Sequence, residues 1–272
     1  MSQPTAETNT TDRPAPVLSI RGLKKSFGPK IVLNGVDLDV YSGESLVVIG
    51  GSGTGKSVLL KCIMGLMEPD EGQILINGKN ITRMSESERE VVRRDFGMLF
   101  QYAALFDSLP LWENVAFGLT EVQKVPRRKA RSIALEKLHA VGMSEKLANR
   151  FPADLSAGMR KRVGLARAVA TGPEFLFFDE PTTGLDPVMG DMIDRLIVES
   201  IQSLNACAMT ITHDMDSAKR ISNRIAMLYQ GRIVFDGPSD SVDETDNPYI
   251  RQFINGLLEG PIRLQNTTDR HA

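Results

Sequence analysis

Apolar and polar residues alternate near the start of the chain in the way that half-buried β-strands require. Residues 17–21, 31–33 and 36–40 form three short strand-like runs, and a Gly-Pro pair separates the first run from the others. Residues 73–78 and 97–100 are further strand-like runs. The early runs predict an antiparallel sheet that packs beside the main core of the protein.

Fully apolar strands alternate with helical segments in the rest of the chain. Residues 46–49 precede a helical pattern at 58–67, and another helical pattern follows Leu155 shortly before the apolar run 175–178. Strands without polar positions are typical of a parallel sheet that is covered on both faces. The alternation therefore predicts an α/β fold, and an amphipathic helix at 126–143 is one of its elements.

A glycine-rich turn with a lysine and a serine at its end joins residues 46–49 to the helix that follows. Its members are Gly50, Gly51, Ser52, Gly53, Thr54, Gly55, Lys56 and Ser57. Glycines let backbone N–H groups close around phosphate oxygens, and the following helix directs its positive dipole end at the anion. In such a P-loop, Lys56 reaches the β- and γ-phosphates and Ser57 binds Mg²⁺. The sequence thus predicts a binding site for a nucleoside triphosphate.

An acidic pair, Asp179 and Glu180, directly follows the apolar run 175–178. Ligands of parallel α/β sheets bind outside the carboxyl ends of the strands, so we expect this pair to lie beside the P-loop. An aspartate in that position can hold Mg²⁺ through water, and a carboxylate one residue later can polarise an attacking water. The pair therefore indicates hydrolysis of the bound nucleotide.

Composition limits the class of protein and its partners. The 272 residues have a formal net charge of −2, which predicts no polyanionic partner and therefore no nucleic acid. Cys62 and Cys207 lie far apart in apolar surroundings, which favours buried thiols in a reducing compartment. No apolar run approaches the roughly 18 residues of a membrane span. Residues 1–16 are polar, so we expect a soluble, unsecreted protein with a disordered leader there.

A short segment at the start of the helix before the acidic pair completes a family pattern. It reads Leu155, Ser156, Ala157, Gly158 and Met159. Together with the P-loop, it resembles the ATP-binding cassette ATPases, in which this signature usually reads Leu-Ser-Gly-Gly-Gln. The resemblance implies a homodimer in which Ser156, Ala157 and Gly158 contact the γ-phosphate of the ATP that the opposite subunit holds.

Four more residues match elements of the same family in the expected order. They are Phe27 as the adenine-stacking aromatic, Gln101 as the Q-loop glutamine, Asp186 of the D-loop, and His213 as the switch histidine. The resemblance implies that Asp186 connects the two sites across the dimer. It also implies that His213, which ends a strand-like run, contacts the γ-phosphate.

The resemblance implies a fold and a mechanism. The fold is a P-loop NTPase of the cassette type, with a parallel-sheet core, an antiparallel β subdomain and an inserted helical subdomain. The cofactors are ATP and Mg²⁺, and the ion is held by Ser57, Gln101 and Asp179. Glu180 orients and deprotonates the attacking water, and closure of the dimer drives mechanical work.

The signature departs from the family pattern at two positions. Ala157 replaces the first glycine and Met159 replaces the glutamine. An alanine is small enough to preserve close approach but does not readily adopt a positive φ. One alternative is therefore a nucleotide-binding subunit that hydrolyses ATP poorly because of Ala157.

The domain layout follows from these assignments. We expect the ATPase domain to cover residues 17–245, with its helical subdomain at about residues 103–160. Residues 246–272 would form a C-terminal extension with a disordered end. Apolar residues of that extension recur at helical spacing, so it is either a packing helix or a contact for a second subunit.

Several segments carry a narrower resemblance. They are residues 96–109, 112–117, 158–159, 251–256 and 260–261, and they resemble the Mla-type ATPases of bacterial phospholipid transport. This implies a homodimer that works with a multi-span membrane permease, an MCE-domain lipid-binding protein and a small STAS-like subunit. Such a protein is peripheral, on the cytoplasmic face of the bacterial inner membrane. Its complex moves phospholipids between the inner and outer membranes and maintains the lipid asymmetry of the outer membrane.

Other functions remain open at this point. The same enzyme could serve an importer of amino acids or of another small solute, because the cargo does not touch this chain. A second class is a cassette ATPase without a transport role, which acts as an assembly scaffold or switch. The apolar side chains of Leu105, Phe106 and Leu109 either receive a helix from a membrane subunit or pack within the helical subdomain.

Overall fold

Strands and helices of the part of the chain that the structure describes, residues 15–263 of a computed structural model, form two sheets and eight α-helices. The strands are β1 (Leu18–Phe27), β2 (Lys30–Val40), β3 (Ser45–Ile49), β4 (Glu71–Ile76), β5 (Lys79–Asn80), β6 (Phe96–Leu99), β7 (Phe175–Asp179), β8 (Cys207–Thr212), β9 (Arg224–Tyr229) and β10 (Arg232–Pro238). The helices are α1 (Lys56–Ile63), α2 (Glu86–Arg93), α3 (Leu111–Phe117), α4 (Arg127–Ala140), α5 (Ala157–Ala170), α6 (Pro187–Leu204), α7 (Met215–Ile221) and α8 (Pro248–Asn255). Most of the predicted leader and the end of the predicted extension lie outside the described residues.

The predicted antiparallel sheet is present, with the strand order β2-β1-β4-β5. The runs 31–33 and 36–40, which the alternation pattern predicts as separate strands, belong to the single strand β2. The two runs form one strand because its pairing with β1 is irregular. The register shifts on both sides of the pair formed by Leu23 and Val36. A β-bulge of this kind absorbs a break in alternation without ending the strand.

The second sheet has the order β10-β9-β3-β8-β7-β6. Strands β9, β3, β8, β7 and β6 pair in parallel, and β10 pairs antiparallel with β9 at the edge. Every residue of β3 and β8 is buried, which agrees with the apolar strands that the sequence predicts. Because these strands are parallel, their carboxyl ends meet at the same edge of the sheet.

The space between the two sheets is filled by one continuous apolar cluster. It contains Ile20 of the antiparallel sheet, Val48 and Phe177 of the parallel sheet, and Leu59 and Ile63 of α1. The apolar face of α1, the helix that follows the P-loop, is therefore buried in this core. The predicted α/β fold with a parallel core and an antiparallel subdomain is confirmed.

Helices α3, α4 and α5 lie between β6 and β7 in the chain and pack on one another. Helix α5 also lies directly against β6. A Cβ atom added at Gly97 would overlap the carbonyl oxygen of Ala168, and one at Gly164 would lie 2.8 Å from Cδ1 of Leu99. The strand and the helix therefore pack at backbone distance. This region corresponds to the predicted helical subdomain, whose bounds at about 103–160 stay a prediction.

The predictions about the two cysteines and about membrane-spanning segments can be compared with the structure. Cys62 and Cys207 are free and buried, as predicted, and burial raises the pKa of the Cys62 thiol to about 11. Among residues 15–263, no helix combines the length and the apolar character that crossing a membrane requires.

Asn114 on α3 determines the shape of the loop 105–110. Its side chain is fully buried, at 0% exposure. The side-chain oxygen accepts a 2.7 Å hydrogen bond from the N–H of Phe106, and the amide nitrogen donates to the carbonyl oxygens of Phe106 at 3.0 Å and Leu109 at 2.9 Å. One side chain thus satisfies three backbone groups of a loop that has no regular structure.

Arg167 on α5 holds the residues just before that loop. It donates 2.6 Å hydrogen bonds to the carbonyl oxygens of Ala103 and Ala104. Both alanines have left-handed backbones, with φ of 61° and 46°, which is unfavourable for residues with a Cβ atom. The guanidinium group therefore stabilises a strained turn.

We predict that Asn114→Ala lowers the free energy of unfolding by about 3 kcal/mol, since it removes three hydrogen bonds that a fully buried side chain makes to the backbone of the loop. Chemical denaturation followed by circular dichroism measures the change. Asn149→Ala, at an exposed position, is the matched control and should stay within about 0.5 kcal/mol of the parent. Equal stability of the two variants would contradict this account of the loop.

Candidate active site

Residues predicted from separate motifs meet at the carboxyl ends of the parallel strands, around a cavity of about 1050 Å³. Residues 51–58 form one wall of this cavity. Gln101 follows β6, Glu180 follows β7, and His213 follows β8, and all three side chains line the cavity as well. The parallel sheet thus brings together segments that are far apart in the chain.

The P-loop connects β3 to α1 and needs glycine at its first position. Gly50 has φ of 153°, and a Cβ atom there would overlap the carbonyl oxygen of Leu228. The hydroxyl of Thr54 donates a 3.0 Å hydrogen bond to the carbonyl oxygen of Gly51 and braces the turn. Helix α1 begins after Gly55 without a side-chain cap, so its first N–H groups are presented to the cavity. This arrangement suits an anion.

The ammonium group of Lys56 lies on the P-loop itself. Its Nζ donates to the carbonyl oxygens of Gly50 at 2.7 Å and Gly51 at 2.9 Å. Burial lowers the pKa of this lysine, while the carboxylates of Glu180 and Asp179 act in the opposite direction. The residue is thus a buried cation held between an anion-binding loop and the acidic pair.

Asp179 and Ser57 provide adjacent oxygen atoms. The Ser57 hydroxyl lies 3.4 Å from Oδ1 of Asp179, and burial together with the neighbouring Glu180 raises the pKa of that aspartate. No cluster of three or more acidic, histidine or cysteine side chains suited to a metal occurs among the described residues. Mg²⁺ needs only one or two protein oxygens beside phosphates and water, so this pair, with Gln101 on the cavity wall, fits it.

Glu180 is held in a strained but well-supported position. Its backbone is left-handed, with φ of 49°, and its N–H donates a 2.8 Å hydrogen bond to the carbonyl oxygen of Ile211. One carboxylate oxygen, Oε2, accepts from the Thr183 hydroxyl and lies 2.8 Å from Nδ1 of His213. The carboxylate is thereby oriented into the cavity, with one oxygen engaged.

Lys161 is a residue of this site that the sequence patterns missed. It lies on the buried side of α5, only 4% exposed, and its Nζ donates a 3.1 Å hydrogen bond to the carbonyl oxygen of Glu180. Burial lowers its pKa to about 8, although Asp179 and Glu180 favour the charged form. The signal for it in the sequence was a lysine within an otherwise apolar helix face.

The signature residues lie at the start of α5 and do not line the cavity of their own chain. Ser156 caps the helix by accepting a 3.3 Å hydrogen bond from the N–H of Met159. Ala157 is the first helical residue and does not have a positive φ, so the alanine meets no backbone strain at this position. Gly158 is buried, and a Cβ atom there would lie 2.5 Å from Cε of Met189.

Phe27 and Asp186 also lie outside the lining of the cavity. Phe27 ends β1 and is 47% exposed, with the Lys25 ammonium 5.8 Å from its ring centre. Asp186 is exposed and caps α6, because its carboxylate accepts hydrogen bonds from the N–H groups of Val188 and Met189. The predicted roles of both residues stay predictions.

Several residues that complete the cavity wall were not predicted to line the site. Lys30 and Val32 come from β2, Met215 from α7, and Phe253 and Ile254 from α8. Phe253 and Ile254 belong to a segment that resembles the Mla-type ATPases, but that resemblance does not place them at the cavity, and all five residues reach it through the packing of distant elements.

Comparisons with known proteins agree with this geometry. The model of the ABC transporter family matches residues 33–183, which is more than half of the chain. A protein of Mycobacterium leprae named probable ribonucleotide transport ATP-binding protein mkl is 41% identical, over 93% of this chain and 72% of its own length. The intermembrane phospholipid transport system ATP-binding protein MlaF of Haemophilus influenzae is 34% identical, over 92% of this chain and 94% of its own.

A solved structure of a similar chain contains the products of ATP hydrolysis. The ATP-binding cassette MJ0796, described as a dimer in a post-hydrolysis state bound to ADP and phosphate, matches with a TM-score of 0.75 and 30% identity. The match covers 82% of this chain and 98% of that one. The predicted cassette fold is confirmed, and so is the predicted ATPase activity. The chain belongs to the ABC transporter family and is one of its ATP-binding, ATP-hydrolysing subunits.

Proposed function

We propose that this protein is the ATPase of a transporter that moves phospholipids between the inner and outer membranes of a bacterium. The observation that carries the enzymatic part is that the P-loop, Glu180 and His213 meet around one cavity, with Asp179 next to Ser57 of that loop. The similarity to MlaF over nearly the whole of both chains supports the choice of cargo.

The nucleotide binds with its phosphates in the P-loop. The N–H groups of the loop and of the first turn of α1 donate hydrogen bonds to the phosphate oxygens, and Lys56 exchanges its carbonyl partners for the β- and γ-phosphates. Mg²⁺, held by Ser57, Asp179 and Gln101, would neutralise charge between those phosphates. The P-loop, Lys56 and the residues that would hold Mg²⁺ all belong to one subunit.

Glu180 acts as the general base for the attacking water. One of its oxygens is engaged by Thr183 and His213, which leaves the other free to accept a proton from water. His213 lies on the cavity wall, where it reaches the γ-phosphate. Lys161 acts as a positioning residue, because it holds the main chain of Glu180 in the left-handed conformation.

The catalytic unit is a homodimer. Ser156 and Ala157 are exposed, Gly158 lies beside them, and none of the three lines the cavity of its own chain, so they serve the site of a second copy. Asp186, exposed at the start of α6, links the two sites. Because Ala157 has ordinary helical geometry, we favour a fully active enzyme over one that hydrolyses ATP poorly.

The membrane partner docks near the loop that follows Gln101. Leu105 packs against the core, while Phe106 is 41% exposed and its ring lies 4.5 Å from that of Phe117, which is also exposed. Exposed aromatic pairs of this kind mark contact surfaces. We therefore propose that Leu105 packs within the helical subdomain and that Phe106 is available to a helix of the permease.

The remaining partners follow from the resemblance to Mla-type ATPases. We propose a multi-span permease, an MCE-domain lipid-binding protein and a small STAS-like subunit, with the ATPase peripheral on the cytoplasmic face of the inner membrane. The ATPase domain covers residues 17–245, with the helical subdomain at about 103–160 and the extension at 246–272. In the described part of that extension, α8 packs against the ATPase domain, with Ile250 fully buried.

The roles proposed for Glu180 and Lys56 predict that one substitution lowers the rate of hydrolysis and the other weakens ATP binding. Glu180→Gln should lower kcat about 10³-fold, keep ATP binding and accumulate a closed dimer, because only the general base is lost. Lys56→Ala should weaken ATP binding at least about tenfold, since it removes a charged phosphate contact. Steady-state ATPase assays, calorimetry and size-exclusion chromatography measure these effects. Lys79→Ala, at an exposed position on the antiparallel sheet, is the control. Wild-type turnover of Glu180→Gln would show that the base is another group.

The positioning role of Lys161 predicts a split between kcat and KM. Lys161→Met should lower kcat about tenfold and leave the KM for ATP within about twofold, because the hydrogen bond it removes orients Glu180 and touches no nucleotide. Lys161→Arg should restore part of kcat, and Lys129→Met, on the exposed start of α4, should change neither constant. A rise in KM without loss of kcat would contradict the assignment.

The cargo is tested by isolating the native complex. We expect purification from the source membrane in mild detergent to yield a permease, an MCE-domain protein and bound phospholipid, identified by mass spectrometry. A solute permease with a periplasmic binding protein would instead favour import of a small solute, and bound ribonucleotides would favour the transport named for the mycobacterial relative. Absence of any membrane partner would contradict a transport role.

A further inference from the structure

Asp194 on α6 is a buried acidic residue that the proposed mechanism does not use. It is 1% exposed and lies on the side of the helix that also buries Ile193 and Ile197. Burial raises its pKa, whereas hydrogen bonds from Ser217 and from the guanidinium group of Arg220 favour the charged form. A carboxylate in such surroundings is tolerated only with good partners, so the arrangement of those partners is what Asp194 determines.

Both partners of Asp194 lie on α7, the short helix that follows His213. The hydroxyl of Ser217, a residue that is itself 1% exposed, donates a 2.7 Å hydrogen bond to Oδ1 of Asp194. Nη1 of Arg220 donates to Oδ2 of Asp194 at 2.6 Å, and Nε of Arg220 lies 3.3 Å from Oδ1 of Asp191. A single buried carboxylate therefore holds two residues that are one turn apart on α7.

Helix α7 has only seven residues, so its position depends on contacts with the rest of the fold. Its last residue, Ile221, is held by the parallel sheet, because the hydroxyl of Ser45 on β3 donates a 2.6 Å hydrogen bond to its carbonyl oxygen. Its first turn contains Ser217 and is held on α6 by Asp194. The two ends of α7 thus have separate anchors, and Asp194 anchors the end that lies next to His213.

The position of His213 depends on the backbone that carries it. Its side chain is 59% exposed, and its one hydrogen bond to a described residue joins Nδ1 to Oε2 of Glu180 at 2.8 Å. On one side of His213 the backbone continues from β8, which is buried throughout. On the other side it leads to Asp214, whose carboxylate accepts hydrogen bonds from the N–H groups of Asp216 and Ser217. A shift of the first turn of α7 therefore moves the histidine.

Stability alone accounts poorly for a carboxylate at this position. Replacing a buried ion pair by apolar side chains of similar size often leaves stability unchanged or raises it, whereas in some proteins buried polar groups fix one specific arrangement of helices. The other buried residues of α6 are Gly190, Ile193, Ile197 and Ile201. The charged and polar contacts of Asp194 are therefore what specifies the position of α7 on this side of α6.

We propose that Asp194 is a positioning residue for ATP hydrolysis, which fixes the first turn of α7 on α6 and thereby holds His213 against Glu180 and the γ-phosphate. This inference rests on the role proposed for His213. Asp194 does not line the cavity, so it acts through the histidine and touches no nucleotide. Its loss then affects the rate of hydrolysis and leaves the binding of ATP in the P-loop unchanged.

A double-mutant cycle on the full-length protein tests whether the two residues act together. Asp194→Asn keeps the shape of the side chain but removes its charge, and it should lower kcat about tenfold and leave the KM for ATP within about twofold. His213→Ala should lower kcat about 10²-fold. The variant with both substitutions should match His213→Ala in steady-state assays. Glu199→Gln, the same chemical change at an exposed position of α6, is the matched control and should keep both constants.

The outcomes separate this inference from the proposed active site. The parent kcat in Asp194→Asn would overturn it, and so would losses that multiply to about 10³-fold in the double variant. The parent kcat in His213→Ala would show instead that the role of the histidine is wrong, and the inference would fail with it.

Circular dichroism establishes whether each variant is folded. If Asp194→Asn is unfolded, Arg220→Gln replaces it in the cycle, because the side chain of Arg220 is 40% exposed and its loss breaks the same link between α6 and α7. The same fall in kcat, and no further fall beside His213→Ala, are then expected. A parent-like kcat or a multiplying loss in that cycle would equally overturn the inference.

Discussion

Parallel pairing of β6, β7, β8, β3 and β9 is the constraint on which the rest of this molecule depends. The register aligns Asp179 with Ile211, and Ile49 with both Thr212 and Met227. The residues that follow each strand therefore emerge at the same edge and within reach of one another. A slip of one residue in any pair would exchange the two buried faces of a strand and displace the chemical group that follows it relative to the cavity. The same pairing brings Glu180, which follows β7, within reach of Lys161, because α5 packs against the neighbouring strand β6.

Sequence patterns predicted the parts of the site that are local. Residues 50–57 and the pair Asp179 and Glu180 each follow an apolar strand, so their positions in the fold could be deduced from neighbours in the chain. The apolar strands and their parallel arrangement were predictable for the same reason. Lys161 could not be assigned, because its contact with Glu180 depends on how a helix lies against a turn 19 residues later. Phe253 depends on an even longer path through the fold, and the continuity of β2 depends on a bulge that alternation does not reveal.

The departures in the signature illustrate how structure changes the meaning of a sequence difference. From the sequence alone, Ala157 in place of glycine suggests that a backbone conformation with positive φ is lost. In the structure this residue is the first of a regular helix and has no need of a positive φ. Gly158 matters more, because Met189 occupies the space that a side chain there would require. This close contact joins α5 to α6, the helix that Asp186 caps. It therefore connects the signature with Asp186, the two exposed segments that are proposed to face a second copy.

The backbone-distance contact of α5 with β6 has a mechanical consequence. The carbonyl oxygen of Ala168 lies against Gly97, and the Leu99 side chain fills the space beside Gly164, so we expect the two closely packed elements to move as one body. One end of that body carries the signature, which is proposed to serve the neighbouring subunit, and the other leads to Gln101 in its own cavity. A subunit then cannot shift what it contributes to its neighbour without also shifting a residue of its own site. In the proposed homodimer we therefore expect the two active centres to be coupled mechanically through one closely packed helix and strand in each subunit.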